Sequence, residues 1–234
     1  MAQLAVRAEG RGWDGFFVWD HVAYAAPVRC VADPWITLAA IAAATERVTI
    51  GPLVTPIPRR RPHQLARQTV TLDRLSSGRL VLGVGLGSAR TGEFDPERFG
   101  EEGDLRARAT LLDDGLERLA AYWSGEFEPQ PLQRPRIPVW VAATWPSRRP
   151  LRRAARWDGL FPVDLDGPAA LAELRAEVEE LREDDAPFDL IVTNPAGTDP
   201  APWIEAGATW TLSGFGPQPR RAQVQEAIDA GPFL

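Results

Sequence analysis

A parallel α/β fold is what this sequence predicts, and three observations carry the prediction. Short runs rich in β-branched and aromatic residues alternate with longer amphipathic ones along the whole chain. The longer runs carry apolar residues at helical spacings of three and four. Turn and cap residues separate the two kinds of run, and strand–helix–strand order of this sort gives parallel strands joined by crossover helices.

Residues 2–10 read as a helix, with the turn residue Gly12 after it, and Phe16-Phe17-Val18-Trp19 as a strand ending at Asp20-His21. Asp33-Pro34 starts a helix, Asp as N-cap and Pro at the first helical position, with Trp35, Leu38, Ala39 and Ala42 on one face. Val48-Thr49-Ile50 opens a strand running to about Thr55. Pro62 starts a helix with Leu65, Thr69, Leu72 and Leu75 along it, stopped by Gly78. Leu80–Val84 reads as a strand closing in Gly85-Leu86-Gly87, and a loop of mixed composition follows. Leu105, Ala109, Leu112, Leu116, Leu119 and Trp123 trace the next helix. Beyond it come a strand at Pro138–Ala142, a basic helix from about Ser147, a strand at Gly159–Val163 and a helix through Leu171, Leu174, Val178 and Leu181. Strands at Phe188–Val192 and Trp210–Leu212 and a helix over 218–230 complete the order.

The reading gives roughly seven strands and starts on a helix. A closed (β/α) barrel wants eight strands. Either the first strand is missing or the sheet is open. The open, doubly wound alternative lacks its usual glycine-rich turn between first strand and first helix.

Composition narrows the chemistry. The 234 residues are read as one domain, 1–234, with 44% hydrophobic and 25% charged side chains, as in ordinary globular proteins. A net charge of −6 argues against a nucleic-acid partner. The single cysteine, Cys30, excludes an internal disulfide and suits a reducing compartment. No secretory signal or membrane span is expected, so the location expected is cytoplasmic. The chain has no lysine, which removes Schiff-base, pyridoxal-phosphate and Walker-loop chemistry. With only His21, His63 and one cysteine, no metal site is expected. The chemistry then rests on a borrowed cofactor or on carboxylates.

In a (β/α) barrel the site gathers at the C-terminal strand ends. Those positions here are Asp20 and His21, Val54 and Thr55, Gly85 and Gly87, Ala143 and Thr144, Val163, and Ser213 with Gly214. Histidine can take or give a proton near neutrality, which makes Asp20-His21 the sharpest catalytic pair. Gly85-Leu86-Gly87 lets backbone approach a flat ring, or simply makes a tight turn. Thr144, Ser147, Arg148 and Arg149 follow a strand at a helix start, a seat for phosphate. His63 reads as a surface or capping residue. Trp13, Trp35, Trp123 and Trp157 read as packing residues.

Gly12-Trp13-Asp14-Gly15-Phe16-Phe17-Val18-Trp19-Asp20-His21 resembles the start of the luciferase-like monooxygenases, FMN- or coenzyme F420-dependent oxidoreductases. The likeness continues in Asp33-Pro34-Trp35, Thr45–Pro56, Thr71–Leu80 and Gly83–Gly87, and returns in Arg134–Val141 and Arg153–Gly159. The resemblance implies a (β/α)8 TIM-barrel type, lacking the family's first strand and abbreviated at 127–131 and at 194–203, where a helix would be expected. It implies that Asp20-His21 lies beside the cofactor ring, with His21 the acid/base, and that Leu53-Val54-Thr55 holds a non-prolyl cis peptide behind that ring. F420 is preferred over FMN, because the Trp-Asp-His strand end looks more like the F420 branch. A small organic substrate and a homodimer follow from the same resemblance. The alternative is a flavin-binding barrel that has lost catalysis.

Overall fold

The protein is described here by a computed structural model covering residues 1–233. It divides into two compact units, Met1–Pro138 and the remainder from Val139.

In the first unit α1 (Ala2–Gly10) leads to β1 (Gly15–Val18), α2 (Pro34–Ala44), β2 (Thr49–Pro52), β3 (Thr55–Pro56), α3 (Pro62–Leu75) and β4 (Leu82–Gly85). The single-turn α4 (Pro96–Phe99) and the long α5 (Leu105–Ala121) follow. β1 runs parallel to β2 with Val18 opposite Pro52. Leu80 bridges Ile50, and β3 runs parallel to β4 with Thr55 opposite Val84. These registers bring the C-terminal ends of β1, β2–β3 and β4 together. The strand expected to run from Val48 to Thr55 is two pieces, interrupted at the cis peptide Leu53–Val54. It accounts for eight strands where the sequence pattern gave about seven.

The strands sit unusually close where side chains are absent. A Cβ on Gly51 would lie 2.0 Å from the Val81 carbonyl oxygen, and one on Gly83 would lie 2.4 Å from that of Pro52. Around them Leu38, Ile41, Ile50, Ile57, Leu65, Leu80, Leu82, Leu112, Leu116 and Leu119 are fully buried. Trp123 joins them, its indole N–H donating to Thr69 Oγ1 at 3.1 Å. Leu75, read as part of the α3 stripe, is 47% exposed instead, since the helix ends there and its last turn faces solvent.

Polar residues, two of them in the run Thr71–Leu80, fasten the frame. Arg79 donates to the carbonyls of Ala42, Thr45, Val48 and Ser76 and to Thr45 Oγ1, at 2.7–3.0 Å. It thereby satisfies carbonyls that the end of α2 leaves open. Glu9 does the reverse job, accepting from the backbone N–H groups of Glu46, Arg47 and Val48. Asp73 accepts from the N–H groups of Leu132 and Gln133 and from the Gln133 amide.

The second unit runs β5 (Val139–Thr144), α6 (Arg148–Ala154), β6 (Gly159–Val163), α7 (Pro168–Leu181), β7 (Asp189–Pro195), α8 (Ala201–Glu205), β8 (Trp210–Gly214) and α9 (Arg221–Ala230). β5, β6, β7 and β8 pair in that order, all parallel. α6 packs on β5 and α7. Asp158 accepts from the Val139 N–H at 2.7 Å, and Asp189 from the Trp140 indole at 3.0 Å. The expected abbreviation at 194–203 appears as a one-turn helix, α8, halted at Gly207, whose φ of +107° no longer fits a helix.

Gly51→Ala should destabilise the protein by about 1–3 kcal/mol, the usual cost of forcing a methyl group into a packed core. Denaturant unfolding reads this directly; a loss under ~0.5 kcal/mol would mean that β2 and β4 can part freely.

Candidate functional site

β1 ends at Val18, so Asp20 and His21 lie beyond it, free of strand alternation, and the two face different surroundings. Asp20 is 1% exposed. Its carboxylate accepts from Trp35 Nε1 at 3.2 Å, Thr55 Oγ1 at 2.9 Å, Arg59 Nη2 at 3.0 Å and Arg60 Nη2. Arg59 Nη2 also reaches the Asp20 carbonyl at 2.9 Å. A buried carboxylate needs such partners, because leaving it unpaired would be strongly unfavourable. Trp35, read as a packing residue, is buried, and its polar end joins this site.

His21 points elsewhere. Its Nδ1 lies 2.7 Å from Glu93 Oε2, and its side chain keeps 23% of its surface exposed. Trp19 and Tyr24 stack on one another, and both meet the imidazole edge to face, at centroid distances of 5.6 and 4.9 Å. Glu93 itself is fully buried. It accepts from the N–H groups of Val22 and Ala23 and from Thr91 Oγ1 at 2.9 Å, with Arg59 Nη2 at 3.8 Å. Burial pushes this carboxyl up, but the hydrogen bonds from His21 and Val22 and the charges of His21 and Arg59 outweigh it and hold the group down to about 2. Glu93 is therefore ionised at any ordinary pH and can only accept. His21 must then donate from Nδ1, which in the neutral ring leaves the Nε2 lone pair as the proton-accepting end.

Glu93 escaped the sequence reading. It lies 72 positions from His21, in a stretch without periodicity, and only the order glycine-rich turn, Thr91-Gly92-Glu93-Phe94, Asp95-Pro96 helix start marks the place. The remaining expected residues are placed as follows. Thr55 is fully buried and serves Asp20, while Val54 beside it is half-buried. Gly85 ends β4 next to Pro56. Gly87 takes φ +73°, and a Cβ there would strike the Phe94 ring at 2.1 Å. Arg108 lies over that ring and donates to the Leu86 and Gly87 carbonyls at 3.2 Å, so packing alone accounts for Gly87. In the second unit Thr144, Ser147 and Arg149 are exposed, and Arg148 is paired with Glu177 of α7 at 2.7 Å. His63 is exposed at the start of α3. No helix among the described residues is long and apolar enough to cross a membrane.

The depressed Glu93 carboxyl links folding to acid. Its stabilisation is complete above the ordinary value of 4.5 and is lost as pH falls from there toward 2. Glu93→Gln should be the less stable protein at neutral pH but should lose less stability across that window. Urea unfolding at a series of pH values tests it, and parallel curves for the two proteins would count against the buried ion pair.

Comparison with known proteins now bears on this arrangement. A family profile for the luciferase-like monooxygenases matches residues 1–201. An uncharacterised protein of Mycobacterium tuberculosis is 29% identical over 205 residues, covering 78% of this chain and 69% of the relative. An F420-dependent glucose-6-phosphate dehydrogenase of Beutenbergia cavernae is 33% identical, covering 88% of this chain and 66% of its own length. The oxygenase component of a flavin-dependent trigonelline monooxygenase of Acinetobacter baylyi is 27% identical over 63% of this chain, which spans only 43% of that relative. Among solved structures, an F420-dependent secondary alcohol dehydrogenase superposes with a TM-score of 0.77 over 97% of this chain and 91% of its own, at 17% identity, which speaks for the fold alone. The expected α/β fold of the luciferase-like TIM-barrel type is thereby borne out. By sequence and by fold, this chain belongs to the luciferase-like monooxygenase family.

Proposed function

We propose that this protein is an oxidoreductase that works with F420 or FMN on a small organic substrate, with His21 as its proton-transferring residue. The observation that carries the reading is the buried Glu93 carboxylate holding the half-buried His21 ring at 2.7 Å, immediately past a strand end. Relatives named for F420 and for flavin both occur, and the preference for F420 rests on the Trp19-Asp20-His21 strand end.

The residues of the first unit fit such a group. Gly85, which has no side chain, and the half-buried, apolar Val54 lie at the joined ends of β2–β3 and β4. The Nε–H groups of Arg59 and Arg60 have no partner among the described residues and stand next to Asp20. In the second unit, Thr144, Ser147 and Arg149 are proposed as an anion-contacting group at the end of β5. When bound, the cofactor ring would supply the hydride chemistry that no side chain of this protein can.

The chain's own contribution is proton handling and orientation. Glu93 fixes the tautomer, so that Nε2 of His21 is the atom that takes a proton from a substrate hydroxyl or returns it to a carbonyl. Asp20 does not face the substrate in this scheme; through Thr55, Arg59 and Trp35 it sets where the backbone carrying His21 leaves β1. The arrangement follows the logic of a base oriented by a carboxylate, as in hydrolase triads.

Titration with F420 and with FMN, followed by absorbance, should show micromolar binding of one of them; if neither binds, the oxidoreductase reading fails, whereas binding without turnover of the reduced cofactor favours the flavin-binding barrel that has lost catalysis. His21→Ala should then retain cofactor affinity and lose about 10²–10⁴-fold in turnover. For Glu93→Gln, nitrogen chemical shifts of His21 should show a mixture of ring tautomers where the parent protein shows the Nδ1–H form. An unchanged His21 spectrum would remove Glu93 from the scheme as a positioning residue.

A further inference from the structure

Beside His21 the chain that follows it folds back into a pocket of about 330 Å³ whose walls include Val22, Tyr24, Val28, Arg29, Val31 and Arg98. Two properties of this wall stand out. Among the described residues Arg29 makes no ion pair or hydrogen bond through its side chain, and the Arg98 guanidinium lies only over the Phe99 ring, at 4.7 Å. Two exposed guanidinium groups without carboxylate partners among the described residues line one small pocket and offer an anion two forked cationic donors. The arginines at 59 and 60 differ, being largely buried and paired with Asp20. The second property is apolar. Val22 and Val31 are 52% and 39% exposed, contributing hydrocarbon where solvent would otherwise be met by polar groups. Tyr24 adds a phenolic hydroxyl with no partner among the described residues while its ring rests against the His21 imidazole.

We propose that this pocket is the substrate subsite and that it takes a small organic acid, its carboxylate on Arg29 and Arg98 and its apolar body against the valines. The inference rests on the reading of His21 as the proton-transferring residue and names the class of molecule presented to it. The wall is positioned for this. The N–H groups of Val22 and Ala23 are bound to the same Glu93 carboxylate that orients His21, so the pocket rim and the base are fixed by one group. Arginine is suited to the task, because its planar fork matches a carboxylate with two parallel hydrogen bonds. A substrate held this way would have its reacting carbon away from the carboxylate end, toward the imidazole.

Calorimetric titration with benzoate and with benzamide, its neutral counterpart of the same shape, tests the pocket without any assumption about turnover. Benzoate should bind roughly tenfold or more tightly than benzamide, the size expected for charged hydrogen bonds. Arg29→Gln and Arg98→Gln are surface changes, checked by unchanged melting temperature, and each should weaken benzoate about tenfold while leaving benzamide alone. Equal affinities for the two probes, or benzoate binding untouched in the R29Q/R98Q double variant, would overturn the proposal. F420 and FMN titrations of the same variants keep the two readings apart. Cofactor binding with benzoate indifferent to both arginines sinks the subsite alone. Arginine-dependent benzoate binding in a protein that takes neither cofactor sinks the oxidoreductase reading and leaves an acid-binding pocket standing.

Discussion

The first unit is organised around a negative charge that water cannot reach. Asp20 sits at the end of β1 with its carboxylate committed to Trp35 of α2, Thr55 of β3 and the two arginines that follow β3. Each partner comes from a different part of the chain, and each is needed, because an uncompensated buried carboxylate is among the costliest defects a fold can carry. The charge thus acts as a register device. Sliding β1 against β2 by one residue would carry Asp20 away from Thr55 and Arg59 together, and would turn the alternate face of the strand inward. Hydrophobic burial supplies most of the driving force for assembling β1, β2 and β4, but the apolar side chains around them are interchangeable in a way that this hydrogen-bonded carboxylate is not.

Two acids therefore share the strand ends with separate duties. Arg59 lies between them, 3.0 Å from Asp20 and 3.8 Å from Glu93, and neutralises part of both. The pair of arginines satisfies Asp20, which leaves Glu93 to look toward the imidazole and the backbone N–H groups of Val22 and Ala23. Without Arg59, two buried carboxylates near one another would favour protonation of one of them. A protonated Glu93 would donate as well as accept, and the tautomer of His21 would no longer be set. The positive charge beside the strand ends is in that sense a condition for the proton chemistry proposed for His21.

Much of this frame can be read from the sequence, because it rests on local patterns. Asp33-Pro34 caps α2 as its residue types require, with the Asp33 side chain accepting from the Ile36 N–H. The apolar stripe from Leu105 to Trp123 is a helix, α5, continuing into one irregular turn. The end of β1 shortly before Asp20-His21 and the end of β4 at Gly85 also lie close to where alternation of strands and helices puts them. What sequence pattern does not contain is pairing across the chain. Glu93 meets His21 across 72 residues, and nothing periodic surrounds it. The division of labour between Asp20 and His21 is likewise invisible, since it depends on β1 ending at Val18 and so freeing the next residues from strict alternation. Gly87 is ambiguous in sequence for a related reason. A glycine after a strand suits a ring cofactor and a packing contact equally well, and Phe94, which supplies the packing contact, arrives seven residues later.

Several of the residues that mark the family in this chain are engaged in supporting backbone. Arg79 closes the carbonyl ends around α2, Asp73 holds the chain at Leu132 and Gln133, and Gly51 lets β2 meet Val81. Such residues specify the fold, and a fold of this kind serves many reactions. In the proposed reading, the part that distinguishes one reaction from another is the segment after His21, where Tyr24 meets the imidazole and Arg29 stands unpaired among the described residues. That segment has no strand or helix of its own; Glu93 ties its start to the buried charge network. Substitutions farther along it can change what is bound without disturbing Asp20, whereas a change at Glu93 alters the base and the pocket rim together. On the proposed reading, substrate choice is therefore free to vary on one side of Glu93 and constrained on the other.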